Sequence, residues 1–173
     1  MGAPERLWIL GQPGSGKSTL GARLAPQLGA RWIDLDELHW LPGWRERPQA
    51  QTAQLLAQQL EVPRWVVTGN YASLSAPHLH RADVVVWLDL DLGVLTRRLL
   101  ARSIRRAWTG EQVCGGNRER WWRLLHPTDS ILFFMWRVHL GRRRRYEARL
   151  AGLKHVRLRS PGAVEAWIEG LLG

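Results

Sequence analysis

An α/β domain, with a five-stranded parallel sheet and helices on both faces, is the fold class this sequence predicts. Three observations predict it. A strand-like run, Arg6-Leu7-Trp8-Ile9-Leu10, passes straight into Gly11-Gln12-Pro13-Gly14-Ser15-Gly16-Lys17-Ser18-Thr19. That is the phosphate-binding P-loop pattern G-x-x-x-x-G-K-[ST], with a strand before it and a helix after it. Short β-branched runs then alternate with amphipathic stretches, the order expected of a parallel sheet with crossover helices. Finally, Asp34, Asp36, Gly69, Asn70 and Asp89 all fall where predicted strands end. Ligands of such sheets bind at the carboxyl ends of the strands.

Taken in order, the first strand covers about 5–10. A helix follows over 17–28, with Leu20, Leu24 and Leu28 on one face and Pro26 near its end. The run Arg31-Trp32-Ile33-Asp34 is the second strand. A helix over 48–61 starts at Pro48 and carries Leu55, Leu56 and Leu60. Trp65-Val66-Val67-Thr68 is the third strand, stopped by Gly69-Asn70. Val84-Val85-Val86-Trp87-Leu88 is the most apolar run and reads as a buried parallel strand. A helix over 92–106 turns Leu92, Leu95, Leu99 and Leu100 inward, and a glycine-containing loop occupies 107–117. A long helical stretch, broken near Pro127, runs to about 151. The fifth strand is His155-Val156-Arg157-Leu158, and a helix over 161–172 closes the chain.

The 173 residues fit one domain, 45% of them hydrophobic. No apolar run approaches the ~20 residues that span a bilayer. The first apolar run is a strand without a basic flank or cleavage site, so the expectation is a soluble cytoplasmic protein without membrane association. Cys114 is the single cysteine, which excludes an internal disulfide and a cysteine-cluster zinc site. The net charge is +10, almost all of it arginine, with Lys17 and Lys154 the only lysines. Such a balance favours anionic partners, nucleotides or nucleic acid. Most of the eleven tryptophans are expected in the core or lining a cleft.

The loop Gly11–Thr19 predicts ATP with Mg²⁺ as ligands. Its backbone N–H groups cradle phosphate oxygens, and the following helix adds its positive end. Lys17 reaches the β- and γ-phosphates, and the Ser18 hydroxyl ligates Mg²⁺. A P-loop alone does not say whether the γ-phosphoryl goes to water or to a substrate, and three features favour a substrate. Asp34-Leu35-Asp36 closes the second strand. One carboxylate there positions Mg²⁺ or takes a substrate hydroxyl proton, unless Asp36 simply caps a short helix. The segment from His39 to Arg47 interleaves Trp40 and Trp44 with Arg45 and Arg47, which suits a planar, anionic group or a Trp-stapled loop. Arg98 and Arg102 stand at i, i+4 before a lid over about 103–122 that contains Trp108, Gly110, Gly115 and Gly116. Arg105, Arg118, Arg120 and Arg123 are further candidates for the moving phosphoryl. The run Arg142–Arg145 reads as a solvated helix face, a nucleic-acid contact or a second phosphate contact.

These stretches resemble the topology modulation protein family, small P-loop proteins similar to adenylate kinase. The resemblance is carried by Gly11–Ser18, Leu35–Trp44, Trp65 with Gly69-Asn70-Tyr71, and Arg81-Ala82-Asp83 leading to Leu88-Asp89. It implies an adenylate-kinase-like P-loop NTPase fold, ATP at Gly11–Thr19, and an acceptor segment at about 36–63. Asp34-x-Asp36 looks like the Asp-x-Asp of shikimate kinase, which serves Mg²⁺ and substrate. Arg98 and Arg102 match the arginine pair that adenylate kinases carry before their lid. Gly69-Asn70-Tyr71 stands where adenylate kinase has Asp-Gly-Phe-Pro-Arg, so an acceptor other than AMP is implied. The expected function is a kinase moving the γ-phosphoryl of ATP to a small molecule, a nucleotide among the candidates. Lys17, Asp36, Arg98 and Arg102 would be catalytic, and Asp34, Asp36, Trp40, Trp44, Gly69, Asn70 and Tyr71 would form the acceptor pocket. The alternatives are a nucleotide-dependent DNA-binding regulator of DNA topology and a slow ATPase.

Overall fold

The computed structural model describes residues 3–118, 141 and 143–173. Its centre is a fully parallel five-stranded sheet in the order β2-β5-β1-β6-β9. These strands are β1 (Arg6–Gly11), β2 (Arg31–Asp34), β5 (Trp65–Thr68), β6 (Val84–Leu88) and β9 (His155–Leu158). Helix α1 (Lys17–Gln27) connects β1 to β2, and α3 (Gln49–Gln59) precedes β5. Helix α5 (Leu92–Thr109) follows β6, and α6 (Pro161–Leu172) follows β9. Residues 143–150 are helical. The remainder of the long helical stretch expected up to about 151, with Pro127, Arg120, Arg123 and Arg142, lies outside the described residues. No helix among the described residues is long and apolar enough to cross a membrane.

The side-chain alternation of a strand divides the core into two layers. Trp8 and Leu10 face one side of β1, with Ile33, Leu56, Leu60, Trp65, Tyr146 and Leu150. Leu7 and Ile9 face the other, with Leu20 and Leu24 of α1 and Ile168 of α6. Trp8 and Trp65 meet edge to face with centroids 6.0 Å apart, the geometry ring quadrupoles favour. Every β1 side chain from Leu7 to Leu10 is wholly buried. That is why the strand reads as a continuous apolar run.

Three departures from the sequence reading have local causes. Helix α5 continues through Thr109 instead of stopping at 106. Nothing in Ala107-Trp108-Thr109 breaks a helix; Gly110, at φ 63, is the first residue suited to a left-handed stop. Two small antiparallel hairpins stand where loops were expected: β3 (Trp40–Leu41) with β4 (Arg45–Glu46), and β7 (Gln112–Val113) with β8 (Asn117–Arg118). Lastly, Asp89 takes no place in a ligand site. It is buried and ion-paired with Arg157 at 2.7 Å and Arg143 at 2.9 Å. Arg157 also lies over the Trp87 ring, 4.1 Å from its centroid. The cluster ties the 143–150 helix to the ends of β6 and β9.

Replacing Asp89 with Asn should therefore cost stability. One buried carboxylate neutralises two guanidinium groups, and removing it leaves Arg157 with Glu147 at 2.8 Å and Arg143 with the exposed Asp91 at 3.9 Å as their remaining carboxylates. Both arginines keep some solvent, so a loss on the order of 2–3 kcal/mol is expected rather than the full buried-pair cost. A urea midpoint unchanged from the parent would contradict this reading of the cluster.

Candidate active site

The loop that follows β1 is shaped by close packing. Gly14 sits at φ 80, and a Cβ there would stand 2.6 Å from the Leu95 carbonyl oxygen. Any side chain would push the loop off α5. Helix α1 begins at Lys17 with Gly16 as its cap and no side-chain cap hydrogen bond. Its first amide groups thus have no side-chain cap where a phosphate would bind. Not all of Gly11–Thr19 faces that space. Gly11 is still in the sheet, paired with Leu88. Gln12 is buried, its carbonyl accepting from Ser15 N–H at 3.0 Å. Neither lines the two cavities beside the loop. Pro13, Gly14, Ser15, Gly16, Lys17, Ser18 and Thr19 do line one.

Two cavities adjoin the loop and share Gly14, Gly16, Ser18, Thr19, Arg102 and Arg106 as walls. One, of about 750 Å³, extends toward Pro161 and Gly162 at the start of α6. The other, of about 690 Å³, opens toward Asp34, Asp36, Trp40, Trp44 and Tyr71. Arg98 lines the first, its Nη1 donating to the Ser15 carbonyl at 3.4 Å. Arg98, Arg102 and Arg106 recur at four-residue intervals on α5, so one helix face carries all three to the loop. Arg106 was missed from sequence. The signal was there, one more step of four from Arg102, but the expected helix stopped at that residue. Arg105 also lines the first cavity but is mostly exposed, and both it and Arg106 pair with Glu111, at 3.0 and 3.7 Å. Arg118 lies in β8.

On the opposite wall, β2 ends at Asp34, which caps a short helix α2 (Leu35–His39). Its Oδ1 accepts from Asp36 N–H at 3.0 Å. The capping residue is thus Asp34, not Asp36. The two carboxylates face one cavity although the backbone turns helical between them, so strand alternation is not what aligns them. Burial raises the Asp34 carboxyl above the usual range, and the charge of Asp36 adds to this. Hydrogen bonds from Asp36 N–H and Ser18, with the charge of Lys17, oppose it. Asp36 Oδ1 accepts from the Tyr71 hydroxyl at 2.7 Å. Burial, followed by the charge and hydrogen bond of Asp36, keeps that phenol protonated well beyond its ordinary range. The ring of His39 packs on Tyr71, with centroids 4.5 Å apart.

Trp40 and Trp44 line the cavity with centroids 5.6 Å apart. Trp44 has a left-handed backbone, φ 58, and its N–H donates to Asn117 Oδ1 at 2.8 Å. Asn117 Nδ2 donates in turn to the Leu41 carbonyl at 3.0 Å. Gly115 N–H donates to Glu37 Oε2 at 3.2 Å. Gly115 and Asn117, within the stretch expected as a lid, are therefore hydrogen-bonded to Glu37, Leu41 and Trp44. Trp108 belongs to the last turn of α5 and is 90% exposed, so it covers no phosphate site here. Residues 119–122 lie outside the described residues. Cys114 lines the acceptor cavity, its thiol pushed up to about 12 by burial and by the charges of Asp36, Glu37 and Asp34. A group so seldom ionised is no nucleophile at neutral pH.

Gly69 and Asn70 are placed differently with respect to this cavity. Gly69 is not part of the cavity wall. It sits at φ 143, where a Cβ would stand 2.6 Å from Leu35 Cβ, and its carbonyl accepts from the Trp8 indole at 3.4 Å. It lets Leu35 pack against the strand end. Asn70 reaches the cavity but spends its amide on Gly11, accepting its N–H at 3.0 Å and donating to its carbonyl.

The oxygen-only donors at the loop, the Ser18 hydroxyl and the Asp34 carboxylate, suit Mg²⁺. That cation is typically held by one or two protein oxygens together with substrate phosphates. Among the described residues no cluster of three His, Cys, Asp or Glu is poised for a metal. Burial first, and the Asp36 charge second, disfavour an ionised Asp34, and a cation beside it would offset both.

A parallel sheet, a P-loop at the end of its central strand and facing carboxylates define the ATP-dependent phosphotransferases of the P-loop class. Comparison narrows this. A shikimate kinase family profile matches residues 13–61, which hold the loop, the Asp-x-Asp pair and α3. A shikimate kinase of Gloeobacter violaceus is 35% identical over 127 residues, 65% of this chain and 69% of that protein. The uncharacterized Bacillus subtilis protein YqaC is 28% identical over 116 residues, 66% of this chain and 65% of that one. The chain thus spans about two thirds of the length of these two relatives. The crystal structure of a Bacteroides thetaiotaomicron shikimate kinase superposes with a TM-score of 0.61 at 19% identity, covering 98% of this chain and 97% of that one. That last likeness speaks to the fold. The chain belongs to the shikimate kinase family, whose members use ATP with Mg²⁺.

Proposed function

We propose that this chain transfers the γ-phosphoryl of ATP to a hydroxyl of a small ring-bearing molecule held beside Trp40, Trp44 and Tyr71. The observation that carries the reading is one cavity lined by Lys17 and Ser18 on one wall and by Asp34 and Asp36 on the other. Phosphoryl transfer asks the protein chiefly for alignment and for positive charge on the moving group. Lys17, Arg98, Arg102 and Arg106 supply the charge. Mg²⁺, held by Ser18 and Asp34, would neutralise phosphate oxygens. Asp36 accepts Tyr71 at Oδ1, which leaves Oδ2 to take the acceptor hydroxyl and its proton. The aromatic walls exclude water from the transfer.

The narrower likeness to topology modulation proteins rests on Asp36–Trp44 and Gly69–Tyr71, the stretches that surround the acceptor cavity. We take it as bearing on which acceptor fits, with shikimate and nucleotides the first to test. The DNA-regulator alternative rests on net charge alone. Within Arg142–Arg145, Arg143 is committed to Asp89, while Arg144 and Arg145 are exposed as any solvated pair would be.

ADP release measured across a library of hydroxylated metabolites tests the reading. One acceptor, or a narrow chemical group, should raise release well above that with ATP alone. A slow rate indifferent to every acceptor would leave an ATPase instead.

A further inference from the structure

We infer that Asn70 and Tyr71 are positioning residues, an inference that rests on the kinase reading above. They hold the phosphate loop and the acceptor carboxylate at a fixed separation and do not themselves recognise the acceptor. A run of hydrogen bonds carries this. It leaves the loop at Gly11, whose N–H and carbonyl are both engaged by the Asn70 amide. The turn bearing Asn70 is fixed to β1 on its other side. Gly69 N–H donates to the Ile9 carbonyl at 3.3 Å, and the Gly69 carbonyl accepts from the Trp8 indole. The next residue, Tyr71, donates its hydroxyl to Asp36 Oδ1 at 2.7 Å. Asp36 N–H donates to Asp34 Oδ1 at 3.0 Å, and Asp34 lines the same cavity as Ser18. The run of contacts thus returns beside the loop, seven residues after it left.

Each link is spent on the protein. Asn70 uses its oxygen and an amide hydrogen on one backbone residue. Tyr71 has a single hydroxyl hydrogen, and Asp36 holds it. A group so engaged is poorly placed to read an acceptor, and well placed to stop Asp36 from drifting. An error of about 1 Å in such alignment costs on the order of 10²-fold in rate. The arrangement also explains why two adjacent residues at a strand end carry an amide and a phenol: one grips the loop behind the site, the other the carboxylate in front of it.

Tyr71→Phe and Asn70→Ala in the full chain separate this from a contact role. With MgATP as the probe and water as acceptor, Tyr71→Phe should lower the kcat of ADP release by about 10-fold or more and leave the KM for ATP unchanged. Affinity for MgADP should stay at the parent value, while affinity for MgADP with aluminium fluoride, which mimics the transferring group, should fall with kcat. Asn70→Ala should show the same split, with a further loss in MgADP affinity because the start of the loop is released. Should Asn70→Ala fail to fold, Tyr71→Phe, which removes one oxygen atom, decides alone. A Tyr71→Phe protein with parental kcat overturns the positioning role and leaves the kinase reading standing. So does one with parental kcat and a raised KM, which would make Tyr71 a ligand contact. A parent that releases no ADP with water or with any acceptor of the metabolite library defeats the kinase reading itself, and the inference falls with it.

Discussion

Lys17→Ala is expected to lower phosphoryl transfer by at least about 10²–10³-fold, the effect of deleting one preorganised donor to developing charge. The fold should survive, because Lys17 belongs to neither core layer and begins α1 at a position that Ala fills well. The Gly14 and Gly16 backbone remains, so weakened nucleotide binding should persist while turnover collapses. The check is kcat beside a thermal melt on the same preparation. A variant that melts like the parent and turns over like the parent would remove Lys17 from the chemistry. It would also cast Gly11–Thr19 as a mere strand-to-helix turn. Lys17→Arg should rescue poorly, since a planar fork is a poor substitute for a compact ammonium in this cradle.

What could be read beforehand followed from burial. Parallel strands covered on both faces must be apolar throughout, and Val84–Leu88 announces itself for that reason. The β3–β4 and β7–β8 hairpins did not, because two-residue strands are too short to show alternation. The P-loop was legible as a motif, yet Gly11 within it pairs in the sheet and Gln12 is buried with its carbonyl turned to Ser15. A pattern records spacing and not which way each residue faces. Asp34 and Asp36 were found together, but the alternative of a helix cap was attached to Asp36, whereas Asp34 makes the cap. Capping depends on where the backbone first turns helical, and that boundary fell at Leu35. Asn70 was placed in the pocket and its partner could not be guessed: Gly11 is 59 residues away in sequence. Asp89 shows the same limit. A carboxylate at a strand end looks like a site residue until two arginines from distant segments close on it. Shape at a strand terminus was predictable; long-range pairing of side chains was not.

Asp36→Asn is the test that bears most directly on acceptor chemistry. If its carboxylate takes the acceptor proton, kcat should fall by about 10²-fold or more, the usual contribution of a positioned base. The amide keeps the shape, and its oxygen still accepts from Tyr71, so the run of hydrogen bonds around the site survives and only the basic oxygen is lost. Affinity for MgATP should change little. Loss of the Asp36 charge also removes one of the influences holding the Asp34 carboxyl up. Asp34 should then ionise more readily, and Mg²⁺ dependence should if anything extend to lower pH. The helix cap gives an internal control. Asp34 is the capping side chain, and Asn caps as well as Asp. Asp34→Asn should therefore fold normally but demand more Mg²⁺. The two variants thus part company, one losing kcat at saturating metal and the other recovering as metal is raised. Asp36→Asn with parental kcat per folded molecule would leave the acceptor hydroxyl without a base among these residues and move the search to the other walls of the cavity.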